Sequence, residues 1–182
     1  MKKILTLLAF AGALFCNAVL ADEMAKATAM AHFVNPEGDM IGDAKLWQGP
    51  KGVVILVQMS GLGPGKHAIH IHSVGTCEPD FKASKGHINV VGASHGLLNP
   101  DGPDNGDLPN IYAHSDGSVM AEMYTTAVHL KGMMDNASDA SADLMDEDGS
   151  ALVVHAMGDD HSTQPIGGAG GRVACGVITG MM

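Results

Sequence analysis

Ten histidines and twenty carboxylates stand among 182 residues, and several fall at spacings suited to metal ligation. His70 and His72 flank Ile71 in an apolar, β-branched run. In an extended strand, residues two apart share a face, so both imidazoles can reach one ion. His87 and His95 follow in a stretch bounded by Gly86 and Gly96, with Asp104 and Asp107 beyond it. His155 closes the run Ala151-Leu-Val-Val-His155, and Asp159 and Asp160 lie just past its end. Imidazole nitrogen together with carboxylate oxygen is the donor set of zinc and copper sites. Each histidine taken singly reads more readily as a hydrogen-bonded or surface imidazole than as a ligand, and a lone His-x-His pair is weak evidence. The weight lies in the group.

The segments that must position these residues read as short strands. Alternating or β-branched runs cover residues 27–34, 45–47, 53–59, 67–72, 111–113, 118–124, 127–130, 151–155 and 173–178, which are strand lengths. Gly49-Pro50-Lys51-Gly52 has the composition of a hairpin turn, and the glycines from Gly61 to Gly65 break the chain before the next run. Aromatics make up only 4% of the chain while glycine counts 24, a mix that suits strands and turns better than long packed helices. The expectation is one all-β domain with largely sequential, antiparallel strands. Two stretches, 73–110 and 156–172, are too long and too rich in Gly, Pro and Asp for simple turns, and loops of that length usually carry function. A third, 135–149, holds six carboxylates and reads as a solvated acidic loop.

Ten basic against twenty acidic side chains make a phosphate-tracking nucleic-acid binder improbable. Lys2 and Lys3 precede an apolar run from Ile4 to Phe15, and Ala18-Val-Leu-Ala21 leads into Asp22 and Glu23. That pattern predicts a signal peptide over 1–21, leaving a single domain over 22–182. The apolar run is too short to span a bilayer, which takes roughly 20 residues, so no membrane segment is expected after cleavage. Cys16 falls in the signal. Cys77 and Cys175 remain as an even pair in an exported chain, where thiols oxidise, so one disulfide is the default.

The segments Gly65–His72, Gly75–Cys77, His87–Gly96, Gly106–Asn110, Leu152–His155 and Gly171–Ile178 resemble, in order, the signature blocks of the Cu/Zn superoxide dismutases. The resemblance covers about residues 27 to 180 and implies an antiparallel Greek-key β-sandwich, or flattened barrel, whose two long loops wall a metal site. It implies a redox-cycling copper held by His70, His72, His87 and His155, and zinc held by His87, His95 and Asp107, with His87 bridging the two. It further implies Arg172 beside the copper, Asp159 hydrogen-bonded to one histidine of each metal, and a disulfide between Cys77 and Cys175. The activity implied is dismutation of superoxide to oxygen and hydrogen peroxide in the periplasm, with Arg172 holding the anion and His87 passing a proton.

One position departs from the family. Asp104 stands where the pattern has a third zinc histidine, three residues before the zinc aspartate. A carboxylate is an accepted zinc ligand, so Asp104 is a candidate fourth donor; His114 and His161 match no family ligand position. Lys66, Lys85 and Lys131 are steering candidates by sequence proximity, and the methionines, Met133-Met134 among them, read as packing or surface. A non-enzymatic, exported copper-buffering protein is the alternative, and a zinc hydrolase the next. Arg172 and four copper-type histidines favour turnover. Homodimerisation is left open.

Overall fold

Burial of period two runs through the strands of the computed structural model, which describes residues 27–130 and 140–181. In β1 (Ala29–Val34), Ala29, Ala31 and Phe33 are buried and the residues between them are not. β2 (Met40–Gly49) follows, and a tight turn at Pro50-Lys51 delivers β3 (Gly52–Met59), whose Val53, Ile55, Val57 and Met59 enter the same core. The glycine and proline signal for that hairpin is borne out. β4 (Gly65–His67), β5 (Ile69–His72), β6 (Ile111–Ala113), β7 (Val119–Thr125), β8 (Val128–His129), β9 (Ala142–Asp143), β10 (Ala151–His155) and β11 (Arg172–Gly180) complete the described strands.

The main sheet has the order β5-β10-β11-β1-β2-β3-β7, with every pairing antiparallel. Its edges are then brought together. β7 returns through a turn at residues 114–117 into β6, β6 pairs with β4, and β4 runs on into β5, the opposite edge. Closing the sheet removes exposed strand edges. The pairings β1·β11 and β5·β10 join strands remote in sequence, giving the Greek-key barrel expected.

Strand ends shift, most of all where the expected run 45–47 becomes Met40–Gly49, and three further details differ from the sequence reading. The run 67–72 is two strands, because Ala68 leaves the ladder: its N–H donates to Met157 O and its carbonyl accepts from His155 N. The acidic stretch contributes the two-residue β9, which pairs parallel with β8, while Asp146, Glu147 and Asp148 are exposed as expected. The loop 73–110 contains a 3₁₀ turn over Phe81–Ser84, begun by the Asp80 carboxylate accepting from Lys82 N. Residues 1–21, expected to be a signal peptide, with Cys16, and Lys131, Met133, Met134, Asp135 and Asp139, lie outside the described residues. Among the described residues no helix is long and apolar enough to cross a membrane.

β5 and β10 are buried on both faces. Ile69, Ile71, Leu152 and Val154 face the barrel core. On the other face Ala151, Val153 and Cys175 form a small second cluster with Cys77 and Phe81, and the Cys77–Cys175 disulfide is formed, with Cα atoms 5.9 Å apart. The long loops therefore cover an outward face of the barrel, and the histidines lie between.

Candidate metal centre

His70 and His72 emerge from β5 on that covered face, opposite Val153 and Ala151 of β10. His155 ends β10, where the register with β11 slips between Val154 and His155 and sets His155 opposite Arg172. Bulges of this kind re-aim side chains beside functional sites. His87 joins from the loop through a bridge with His72, and Asp107 through a bridge with His70. Gly106 makes that approach possible, since a Cβ there would collide with Ile71 O and His87 Cβ.

Among the described residues four overlapping donor groups result, and two of them share no residue. In one, ring nitrogens of His70, His72 and His155 lie within 4.8 Å of one another; in the other, His87, His95, Asp104 and Asp107 do. His87 adjoins the first group, with its ring centroid 4.1 Å from that of His70 and 5.4 Å from that of His72. Each of these imidazoles is fixed by one nitrogen and leaves the other free. His70 Nε2 meets Asp159 Oδ2 at 2.9 Å, His72 Nδ1 meets Lys85 O at 2.9 Å, and His155 Nδ1 meets Gly170 O at 3.1 Å. His87 Nδ1 meets Asp104 Oδ2 at 3.0 Å. The remaining atoms, His70 Nδ1, His72 Nε2, His155 Nε2 and His87 Nε2, are buried with no hydrogen-bond partner. Buried polar atoms are seldom left so. Four of them in one place, on imidazoles oriented from behind, fit a metal with nitrogen ligands.

In the second group His95 Nδ1 lies 2.5 Å from Asp107 Oδ1, while Asp107 Oδ2 accepts from Gly96 N and Asp104 N. Asp104 Oδ1 accepts from Gly106 N, leaving Oδ2 directed at His87. Asp159 spans both groups, with Oδ2 on His70 Nε2 and Oδ1 on His95 Nε2 at 3.1 Å. His161 is near Asp159 but in neither group, and His114 is exposed on the β6–β7 turn.

The electrostatics divide the histidines. Burial, then the Arg172 charge, lowers His72 to about 2. Burial lowers His155 to about 4 and also lowers His70, despite its Asp159 hydrogen bond. Burial acts downward on His87 too, but hydrogen bonds and charge from Asp104 and Asp107 outweigh it and raise the group to about 9. For Asp159 and Asp107, burial pulls upward and is outweighed by histidine and backbone donors, so both fall below the usual carboxylate range. The first group is thus neutral imidazole, ready to donate lone pairs.

Two cavities flank the centre. One, of about 780 Å³, is lined by His155, Arg172, Phe81 and Lys82 among others; a second, of about 650 Å³, reaches His72, His87, Lys82, Lys85 and Arg172. Arg172 donates to Phe81 O, Ser84 Oγ and Lys85 O, so it is anchored as well as facing the cavities. Lys85 is where sequence proximity suggested, at a cavity wall. Lys66 is not: its Nζ caps Asp159 O, and it lines neither cavity. Lys82, which lines both, was missed, although its place between Cys77 and His87 was a usable signal.

The sequence profile of the family "Copper/zinc superoxide dismutase (SODC)" matches residues 40–178. The chain belongs to the copper/zinc superoxide dismutase family. Similar relatives include "Superoxide dismutase [Cu-Zn]" of Caulobacter vibrioides, 49% identical over 78% of this chain and 80% of that one. "Superoxide dismutase [Cu-Zn] 2" of Aquifex aeolicus is 45% identical over 82% of this chain and 85% of its own. Among solved structures, a SOD-like protein from Bacillus subtilis superposes with a TM-score of 0.74 at 34% identity, over 81% of this chain and 96% of that chain. The six sequence blocks that resemble the dismutases are those the barrel gathers at its covered face.

Proposed function

We propose that the protein dismutates superoxide to oxygen and hydrogen peroxide in the periplasm, using copper at His70 Nδ1, His72 Nε2, His155 Nε2 and His87 Nε2. Zinc is held by His87, His95 and Asp107, with Asp104 as the fourth donor. The single observation that carries this is the convergence of four buried, unpartnered imidazole nitrogens in a chain of this family. Bound copper supplies a one-electron redox couple that zinc lacks. The chain's residues do the rest. Arg172, held by three loop acceptors, presents its guanidinium to a small anion, and Lys82 and Lys85 raise the local positive field in a molecule whose formal charge is −10. His87 Nε2, once released from the metal, would be the atom that takes up a proton and passes it to reduced substrate, while Nδ1 remains on the side of the second group. Asp159 fixes the orientation of His70 and His95. The disulfide and the 1–21 signal-like segment support export, with residues 22–182 as the mature domain and a homodimer compatible with it. A copper-buffering role would make no use of the anchored Arg172 at the cavity.

The test is a superoxide dismutation assay on copper- and zinc-loaded protein and on His155→Ala. The wild type should turn over, and the variant should lose most of the activity together with one copper ligand. Wild-type activity no greater than that of an equal amount of chelated copper would overturn the reading.

A further inference from the structure

His161 belongs to neither donor group, yet three features tie it to their link. The first is its tautomer. Asn110 Oδ1 accepts from Asp159 N at 2.7 Å, and Asn110 Nδ2 donates to Asp159 O at 3.0 Å. Those two bonds fix which end of the amide is nitrogen. Asn110 Nδ2 also lies 2.7 Å from His161 Nε2. An amide nitrogen only donates, so His161 Nε2 accepts and the ring proton is on Nδ1. The second is where that proton points: Nδ1 is buried without a hydrogen-bond partner, 3.5 Å from Asp159 Oδ2. At that distance the attraction is electrostatic rather than a short hydrogen bond.

The third is the backbone. His161 has a φ of 62°, a left-handed conformation that residues other than glycine seldom adopt. It is held there by its own N–H, which donates to Asp159 Oδ1 at 2.6 Å, and by its carbonyl, which accepts from Leu98 N at 2.9 Å. His161 thus touches the loop after His95, the residue that precedes β6, and the carboxylate that joins the two groups. Asp159 has four donors around it: His70 Nε2, His95 Nε2, His161 N and His161 Nδ1. Gly167 leaves room for this packing, since a Cβ there would overlap Asp159 Oδ1.

We propose that His161 is a positioning residue, whose Nδ1–H and backbone N–H hold the Asp159 carboxylate so that it serves His70 and His95 at once. This rests on the reading that the two groups hold copper and zinc. Loss of the imidazole leaves Asp159 free to rotate toward one histidine, loosening the zinc group without removing any ligand.

The experiment uses the metal-loaded protein and three variants. His161→Phe keeps a ring and removes both nitrogens. His161→Asn keeps a residue that tolerates the left-handed backbone, so it separates the imidazole from φ and serves alone should the Phe variant fail to fold. Asp159→Ala is the control. Zinc release to a chelator is timed, and exchange of the His70 and His95 Nε2–H protons is followed by NMR of the reduced protein. Outer-shell substitutions commonly cost 10–100-fold in metal affinity, and one step further out the release rate should rise about 3- to 10-fold. Both N–H signals should exchange faster in both His161 variants. Unchanged release and exchange in both, with Asp159→Ala clearly faster, would overturn the role of His161 alone. No effect of Asp159→Ala would overturn the reading of Asp159 as the link, and the inference with it.

Discussion

Asp104 places a negative charge where an imidazole would carry none, and its consequences begin with His87. Its Oδ2 lies 3.0 Å from His87 Nδ1, and with Asp107 it raises that imidazole to about 9 against the opposing effect of burial. In metal-free protein at pH 7 the position that zinc must take on His87 is therefore held by a proton. Two pH units of competition weaken apparent zinc affinity roughly a hundredfold. Asp104→His removes one of the two carboxylates that hold the proton and restores a nitrogen donor. It should tighten zinc at pH 7 and raise thermal stability, while dismutation changes much less because copper carries the redox step. The sign with pH follows: the gain should shrink as pH rises toward about 9, where wild-type His87 has given up its proton. Zinc titrations in competition with a chelator at the two pH values test this. Equal affinities at pH 7 would show that Asp104 holds zinc at no cost or does not touch it.

The loop that carries Cys77 makes more of the site than its sequence suggests. Phe81 O, Ser84 Oγ and Lys85 O anchor Arg172, and Lys85 O also orients His72, so one short segment positions a cation and a histidine of the first donor group together. The disulfide ties this segment to β11 across a sequence separation of 98, and closing a loop of about 100 residues lowers the entropy of the unfolded chain by about 4.7 kcal/mol. Reduction should then lower the urea midpoint markedly. It should also raise the KM for superoxide more than it lowers kcat, since Arg172 loses its anchors while the histidines keep their strands. If the midpoint and kinetics of reduced protein match those of oxidised protein, the segment is held by packing alone. The strands themselves were legible wherever one face is buried, as in Val53 to Met59, because period two is a local pattern. The break at Ala68 was not legible, because it is made by bonds to Met157 and His155, far along the chain. β9 was hidden for another reason: two residues inside an acidic stretch carry no periodicity. That these histidines belong together was legible by family resemblance and order, and the structure gathers them, whereas the anchoring of Arg172 and the placement of Lys66 and Lys82 depend on how the loops fold back.

At the scale of the whole molecule, gathering so many imidazoles on one covered face makes the metal-free barrel sensitive to pH. Burial lowers His72 to about 2 and His155 to about 4, and it lowers His70 as well. In the unfolded chain each of them titrates near 6.5. Between about pH 6.5 and 4 the unfolded state therefore binds protons that the folded state refuses, so stability falls as pH falls through that window, by up to about 1.4 kcal/mol per pH unit for each histidine. Below it, Asp107 and Asp159 add the same sign, since their depressed values mean stability lost on protonation. His87 acts oppositely: its raised value stabilises the fold fully below about 6.5, and that contribution is lost as pH rises toward about 9. Metal-free protein should accordingly be most stable near pH 6.5 to 7, fall on both sides, and fall more steeply on the acid side, where three histidines act against one. Loaded protein should show a much flatter profile down to the pH at which protons displace the metals, because the ligand nitrogens are then occupied in the folded state. Unfolding midpoints of both forms, measured from about pH 4.5 to 9, decide it. A metal-free midpoint that does not change across the acid half of that range would mean the covered face admits water and protons freely, and the neutral-imidazole account of the copper group would fail with it.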